Sequence, residues 1–253
     1  MSIDDTPKMS WWNRLAHPGQ FLGWTRPLIW PLAGVTTALF LLGLWFAFFN
    51  SPADYQMGDT VRIMYVHVPT AWLSQFVYAA MAVSALGTLV WRHPLADVSM
   101  KAAAPLGAAF TAMALFTGSM WGRPTWGTFW EWDGRMTSTL ILLFIYLGIV
   151  ALWRAFDDQL RAARVVAVFT LVGAVNVPII KFSVDWWSTL HQPASVFRAD
   201  GPTMPGSLLT PLFLMFFAFT LLFVTLQLLA MHTEIRRRRL VTLERRAARG
   251  DTL

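Results

Sequence analysis

Cysteine is absent from the 253 residues, which excludes disulfide staples, thiol relays, zinc–thiolate sites and iron–sulfur clusters. Any metal chemistry must run through His, carboxylates or a bound group. Charge is scarce too: Asp, Glu, Lys and Arg make up 13% of the chain against 56% apolar residues, and the mean hydropathy is +0.49. With the apolar residues gathered into long blocks, this composition excludes an ordinary soluble domain and indicates a polytopic membrane protein. Also missing are a glycine-rich phosphate loop, carboxylates paired at helical spacing, and a Ser, His and Asp order that topology would bring together. No separate soluble domain, low-complexity linker or repeat interrupts the pattern.

What is present is a set of uncharged windows. A hydrocarbon core of about 30 Å requires roughly 20 apolar helical residues, and six windows qualify: 28–49, 71–91, 102–120, 137–153, 165–180 continued by 182–184, and 207–231. The expected fold is an all-α integral membrane protein with six transmembrane helices. Residues 1–27 form an N-terminal tail, 28–231 the membrane domain, and 232–253 a basic C-terminal tail. Asn176, Pro178 and Lys181 near the end of the fifth window predict a bent helix, because proline lacks a backbone donor. Ala104, Ala108 and Ala112 recur every four residues and suit close helix packing. No small-residue cleavage site follows the first window, so it is expected to remain as an anchor.

Fifteen of the 20 Lys and Arg residues fall on the side of the two termini and five on the other. By the positive-inside rule the termini are cytoplasmic, and the first, third and fifth loops face outward. The net charge of +6, and the run Arg236 to Arg239, then reflect orientation and contact with anionic lipid in the bilayer, with no nucleic acid involved.

Four of the 14 tryptophans lie in one outward loop, in the run Trp121-Gly122-Arg123-Pro124-Thr125-Trp126-Gly127-Thr128-Phe129-Trp130-Glu131-Trp132-Asp133-Gly134-Arg135. It is too aromatic for an ordinary loop, and too broken by Gly and Pro to cross a membrane. Interfacial anchoring accounts for one or two tryptophans per helix end, as for Trp72, Trp91, Trp153, Trp186 and Trp187, but not for this density. Topology also sorts the histidines: His17, His93 and His232 fall on the cytoplasmic side, and His67 and His191 share the outer side with the tryptophans. A flat apolar macrocycle with a metal centre and anionic edges needs these parts. Haem fits, with two neutral imidazoles approaching iron from opposite faces, tryptophan rings flanking the porphyrin, and Arg pairing with propionates. Arg62, Arg123, Arg135 and Arg198 are the available cations, Arg135 being nearest the run. Asp133 either caps the following helix, pairs with Arg135, or takes a direct part in the site.

The residues Trp121-Gly122, Trp126-Gly127, Trp130, Trp132-Asp133 and Arg135 resemble the WWD signature of the haem-handling proteins of cytochrome c biogenesis. With six spans, a short chain, and His67 and His191 in the first and third outer loops, the chain is most similar to the haem exporter protein C (cytochrome c maturation protein C) family, over nearly its whole length. Two larger relatives, the haem lyase component (maturation protein F) and the two-component synthetase, carry the signature on longer chains. The resemblance implies a multi-pass protein of the bacterial inner membrane that binds haem b transiently and non-covalently at the periplasmic face. His67 and His191 would be axial ligands to the haem iron, and Trp121, Gly122, Trp126, Gly127, Trp130, Trp132 and Asp133 the platform (121–136). It further implies delivery to the periplasmic haem chaperone (maturation protein E), with a small membrane protein (maturation protein D) and the ABC transporter subunits A and B as partners. Phe129 and Glu131 are the departures from the signature. A different class of function, a membrane subunit of a transporter exporting haem or another substrate, predicts ionisable or broken segments inside the membrane. Apart from 176–181, the polar features instead concentrate at the outer surface.

Overall fold

The computed structural model describes residues 17–187, 189–191, 195–196 and 198–249. Lys8 and Arg14, used in the charge count, lie outside the described residues, as do Gln192 and Pro193 beside His191. Six helical stretches are long and apolar enough to cross a membrane: Pro18–Asn50, Asp59–Leu89, Ala96–Trp126, Gly134–Ala155, Gln159–Trp186 and Gly206–Ala248. Their helices are α1 (Pro18–Trp45), α2 (Met64–Leu89), α3 (Ala96–Trp126), α4 (Gly134–Ala155), α5 (Gln159–Gly173), α6 (Asn176–Trp186) and α7 (Gly206–Ala248). Each expected window falls inside one of these stretches, except that the second, 71–91, runs past the helix end at Leu89.

The boundaries differ from the expectation at both tails. Pro18 starts α1 ten residues early; His17 caps it, its Nδ1 accepting from the Gly19 N–H at 3.2 Å. At the other end α7 runs on to Ala248, so most of the expected C-terminal tail is helix. His232 lies inside α7 and its Nε2 donates at 2.6 Å to the Thr25 hydroxyl, whose own proton goes to the Phe21 carbonyl.

Helices α2 and α3 form the centre, with α4, α5 and α7 packed around them and α1 lying on α7. Lipid tails provide no hydrophobic drive between helices, so close approach and buried hydrogen bonds must hold the bundle. Gly107 on α3 supplies the approach: a methyl group there would sit 2.2 Å from the Tyr146 ring. Tyr146 donates to the Ser74 carbonyl at 2.8 Å, and Tyr78 to that of Thr170 at 3.0 Å. Both tyrosines are fully buried. The four-residue alanine repeat is followed only in part, because Ala104 and Ala108 are buried while Ala112 is exposed. A spacing of four turns about 40° further than one helical turn at each step, and the packed face passes instead to Thr111 and Ala114.

The fifth span bends as expected. Pro178 has no N–H to give the Ala174 carbonyl, which accepts from Val177 at 3.1 Å, and the chain breaks between α5 and α6. Asn176 closes the bend by donating to the Ser138 carbonyl at 2.9 Å.

Candidate functional site

The tryptophan run is not all loop. Trp121 to Trp126 form the last turns of α3, although Pro124 lies inside them and has no N–H to return to the Met120 carbonyl. Gly127 then takes the left-handed conformation, φ +80°, and its N–H returns to the Arg123 carbonyl at 3.1 Å, the usual glycine stop. The segment from Thr128 folds back over the helix. A Cβ on Gly122 would stand 3.1 Å from both the Thr128 carbonyl and the Trp126 ring, so the missing side chain permits the return. Trp130 and Trp132 meet edge to face at 5.3 Å, with Trp132 largely exposed.

Asp133 ties the end of the run to α4 and to the segment after α6. Its Oδ1 accepts the Met136 N–H at 2.7 Å and caps α4. Its Oδ2 accepts the Thr189 hydroxyl and His191 Nδ1, the latter at 2.7 Å. Both oxygens are thus committed, and among the described residues the alternative pairing with Arg135 is not formed. Burial raises the Asp133 pKa, but the Thr189 hydroxyl, the Met136 N–H and His191 together hold it below the usual carboxylate range. Burial lowers the pKa of His191 more than the Asp133 carboxylate raises it, and Arg135 lowers it further. The pair is therefore an ionised carboxylate and a neutral imidazole, with Nδ1–H donated to Asp133 and Nε2 bare.

His67 reaches the same arrangement by other means. It lies in the first turn of α2, inside the helix and not before it. Its Nδ1 faces the Ala114 carbonyl at 3.1 Å and the Thr117 hydroxyl oxygen at 3.2 Å, and the Thr117 proton is already given to Met113. Two acceptors require a proton on Nδ1, so Nε2 again carries the free lone pair. Gly118 makes room, since a Cβ there would lie 2.9 Å from His67 Cε1.

Each imidazole meets one tryptophan of α3 edge-on, His67 with Trp121 at 5.7 Å and His191 with Trp126 at 4.8 Å. The two histidines lie within electrostatic reach of each other, and Arg135 within reach of both. The same neighbourhood holds unmet donors. Trp121 Nε1, Trp130 Nε1 and Arg135 Nε are buried with no hydrogen-bond partner among the described residues. All three can only donate, so the group they would suit carries acceptor oxygens.

Of the other cations, two are engaged elsewhere and one is exposed. Arg62 pairs with Asp59 at 2.8 Å and donates to the Ala47 carbonyl at 3.1 Å. Arg123 bonds the Gly127 carbonyl and lies over the Phe129 ring at 5.6 Å. Arg198 is exposed in the segment before α7. Sequence reasoning missed Thr117, Gly118 and Thr189, which set the imidazoles, and Gly134, where a Cβ would come within 2.9 Å of the Trp187 ring. Gly118 alone carried a signal, a small residue in an apolar helix.

Comparison with known proteins decides the family. A family profile described as Heme exporter protein C matches residues 11–246. The chain belongs to the haem exporter protein C family. A Heme exporter protein C of Bradyrhizobium diazoefficiens is 61% identical over 230 residues, covering 91% of this chain and 87% of the relative. The protein of that name in Escherichia coli K12 is 45% identical over 216 residues, 85% and 86% of the two chains. A mitochondrial "cytochrome c biosynthesis ccmC-like" protein of Marchantia polymorpha is 46% identical over 188 residues, 74% and 79%. As a member of this family with six stretches long and apolar enough to cross a membrane, the chain is a multi-pass protein of the bacterial inner membrane.

Proposed function

We propose that the protein handles haem in cytochrome c biogenesis; its relatives are named for haem export and, in one case, for cytochrome c biosynthesis. It binds haem b at the periplasmic face between His67 and His191 and passes it to the periplasmic haem chaperone. The observation that carries this reading is the matched state of the two imidazoles. Each has Nδ1–H fixed by an acceptor and so an unprotonated Nε2, a tautomer that leaves one lone pair for a metal. Trp121 and Trp126 would flank the macrocycle, while Arg135 Nε and the tryptophan N–H groups suit propionate oxygens. Asp133 serves as a brace behind His191, outside the platform itself. Binding is non-covalent and uses only side chains on loops and helix ends, which suits cargo held for transfer. Maturation protein D and the ABC transporter subunits A and B would be its membrane partners, and no bond-making by this chain is needed.

The test is purification in mild detergent from cells with ample haem, followed by a visible spectrum. A Soret band with low-spin bis-imidazole features is expected, and a colourless protein would overturn the reading. Trp126→Ala and Trp132→Ala should lower haem retention without abolishing the spectrum.

Gly118→Ala offers a steric version of the same test. The added methyl must displace the His67 ring, and haem affinity by absorbance titration is expected to fall roughly tenfold, as when the support behind a ligating histidine is disturbed. The circular dichroism spectrum should be unchanged.

A further inference from the structure

At the opposite end of the bundle, the start of α1, the turn into α3 and the later turns of α7 enclose an open cleft of about 430 Å³. Leu22, Val98 and Ile235 make one wall apolar, and Arg238 and Arg239 edge the other. Arg238 is held rigidly: Nε donates to Glu234 at 2.7 Å and Nη1 to Asp97 at 2.6 Å. Its Nη2 is buried and without a hydrogen-bond partner among the described residues. Asp97 and Glu234 are the carboxylates here, against Lys101, Arg237, Arg238 and Arg239. The cluster keeps an excess of positive charge after every pair is made.

We propose that this cleft binds the headgroup phosphate of an anionic phospholipid, with an acyl chain along the apolar wall. Arg238 and Arg239, which both line the cleft, supply two cations for the phosphate oxygens. A free phosphate would use the arginines but leave the wall of Leu22, Val98 and Ile235 bare. The lipid's chain has somewhere to continue, because α1 beyond the cleft exposes Trp24, Leu28 and Trp30. The site is separate from the histidines and does not rest on their role.

Native mass spectrometry of the full chain in detergent tests it, with phosphatidylglycerol and phosphatidylcholine of matched acyl chains as probes. Phosphatidylglycerol should be retained preferentially. Arg239→Gln should weaken its retention about fivefold, the usual size for one cation at a lipid surface, and Arg238→Lys, which keeps the charge but loses the planar guanidinium held by Asp97 and Glu234, should weaken it less. Arg245→Gln, on the exposed end of α7, should leave it unchanged. If Arg238→Lys does not fold, the exposed Arg239 decides the matter. Equal retention of the two lipids, or insensitivity to Arg239→Gln, would overturn the proposal. So would displacement by inorganic phosphate, which points to a free anion, or by haem, which points to the cargo.

Discussion

His67→Ala and His191→Ala should each convert a six-coordinate haem spectrum into a five-coordinate or empty one, with haem retention down about tenfold or more. The fold should survive both changes. His67 is only half-buried, and the Ala114 carbonyl it leaves lies within α3, whose own backbone bonding satisfies it. Removing His191 leaves Asp133 with the Thr189 hydroxyl and the Met136 N–H, so α4 keeps its cap. Imidazole added to either purified variant should enter the vacated position and restore the six-coordinate spectrum. Wild-type spectra in both variants would remove His67 and His191 as ligands.

Asp133→Asn should separate two functions of one side chain. Its amide oxygen can still cap the Met136 N–H, and a capping Asn is about as good as Asp, so thermal stability should change by less than about 1 kcal/mol. The amide nitrogen then faces His191, and two donors cannot share one bond. The ring must turn its Nδ1 lone pair toward the amide and move its proton to Nε2, where no iron can bind. Haem affinity is therefore expected to fall by about 10- to 100-fold, as when the hydrogen-bond partners behind ligating histidines are lost. Absorbance titration alongside a melting curve reads both quantities. Loss of stability and affinity in step would make Asp133 a purely structural residue, and unchanged affinity would remove it as the orienting group.

The six spans were legible because uncharged blocks of about 20 residues have few other uses, and the bend at Pro178 because proline has no N–H. Boundaries were less so. Residues 18–27 hold Gly19, Thr25 and Arg26 and read as a tail, yet Thr25 bonds His232 across 207 positions, a contact that local pattern does not contain. Trp121 to Trp126 read as loop because Gly122 and Pro124 are breakers, but glycine costs a helix only about 1 kcal/mol and a proline near its end one bond. The histidines and the aromatic run were visible as residue types. The groups that set them were not: Asp133 and His191 are 58 positions apart, and His67 and Thr117 are 50. Only the packing of α2, α3, α4 and the segment after α6 brings these partners together.

The length of α7 has a mechanical consequence. Forty-three residues make a rod of about 65 Å, some twice the hydrocarbon thickness. Its turns as far as Arg238 are tied to α1 and α3 through His232, Glu234 and Arg238, and only the stretch 239–248, about 15 Å of helix, projects beyond them. A change in tilt of about 10° moves that tip by roughly 3 Å relative to the last tie, which makes the end of α7 a good place to attach a distance probe for movements within the bundle.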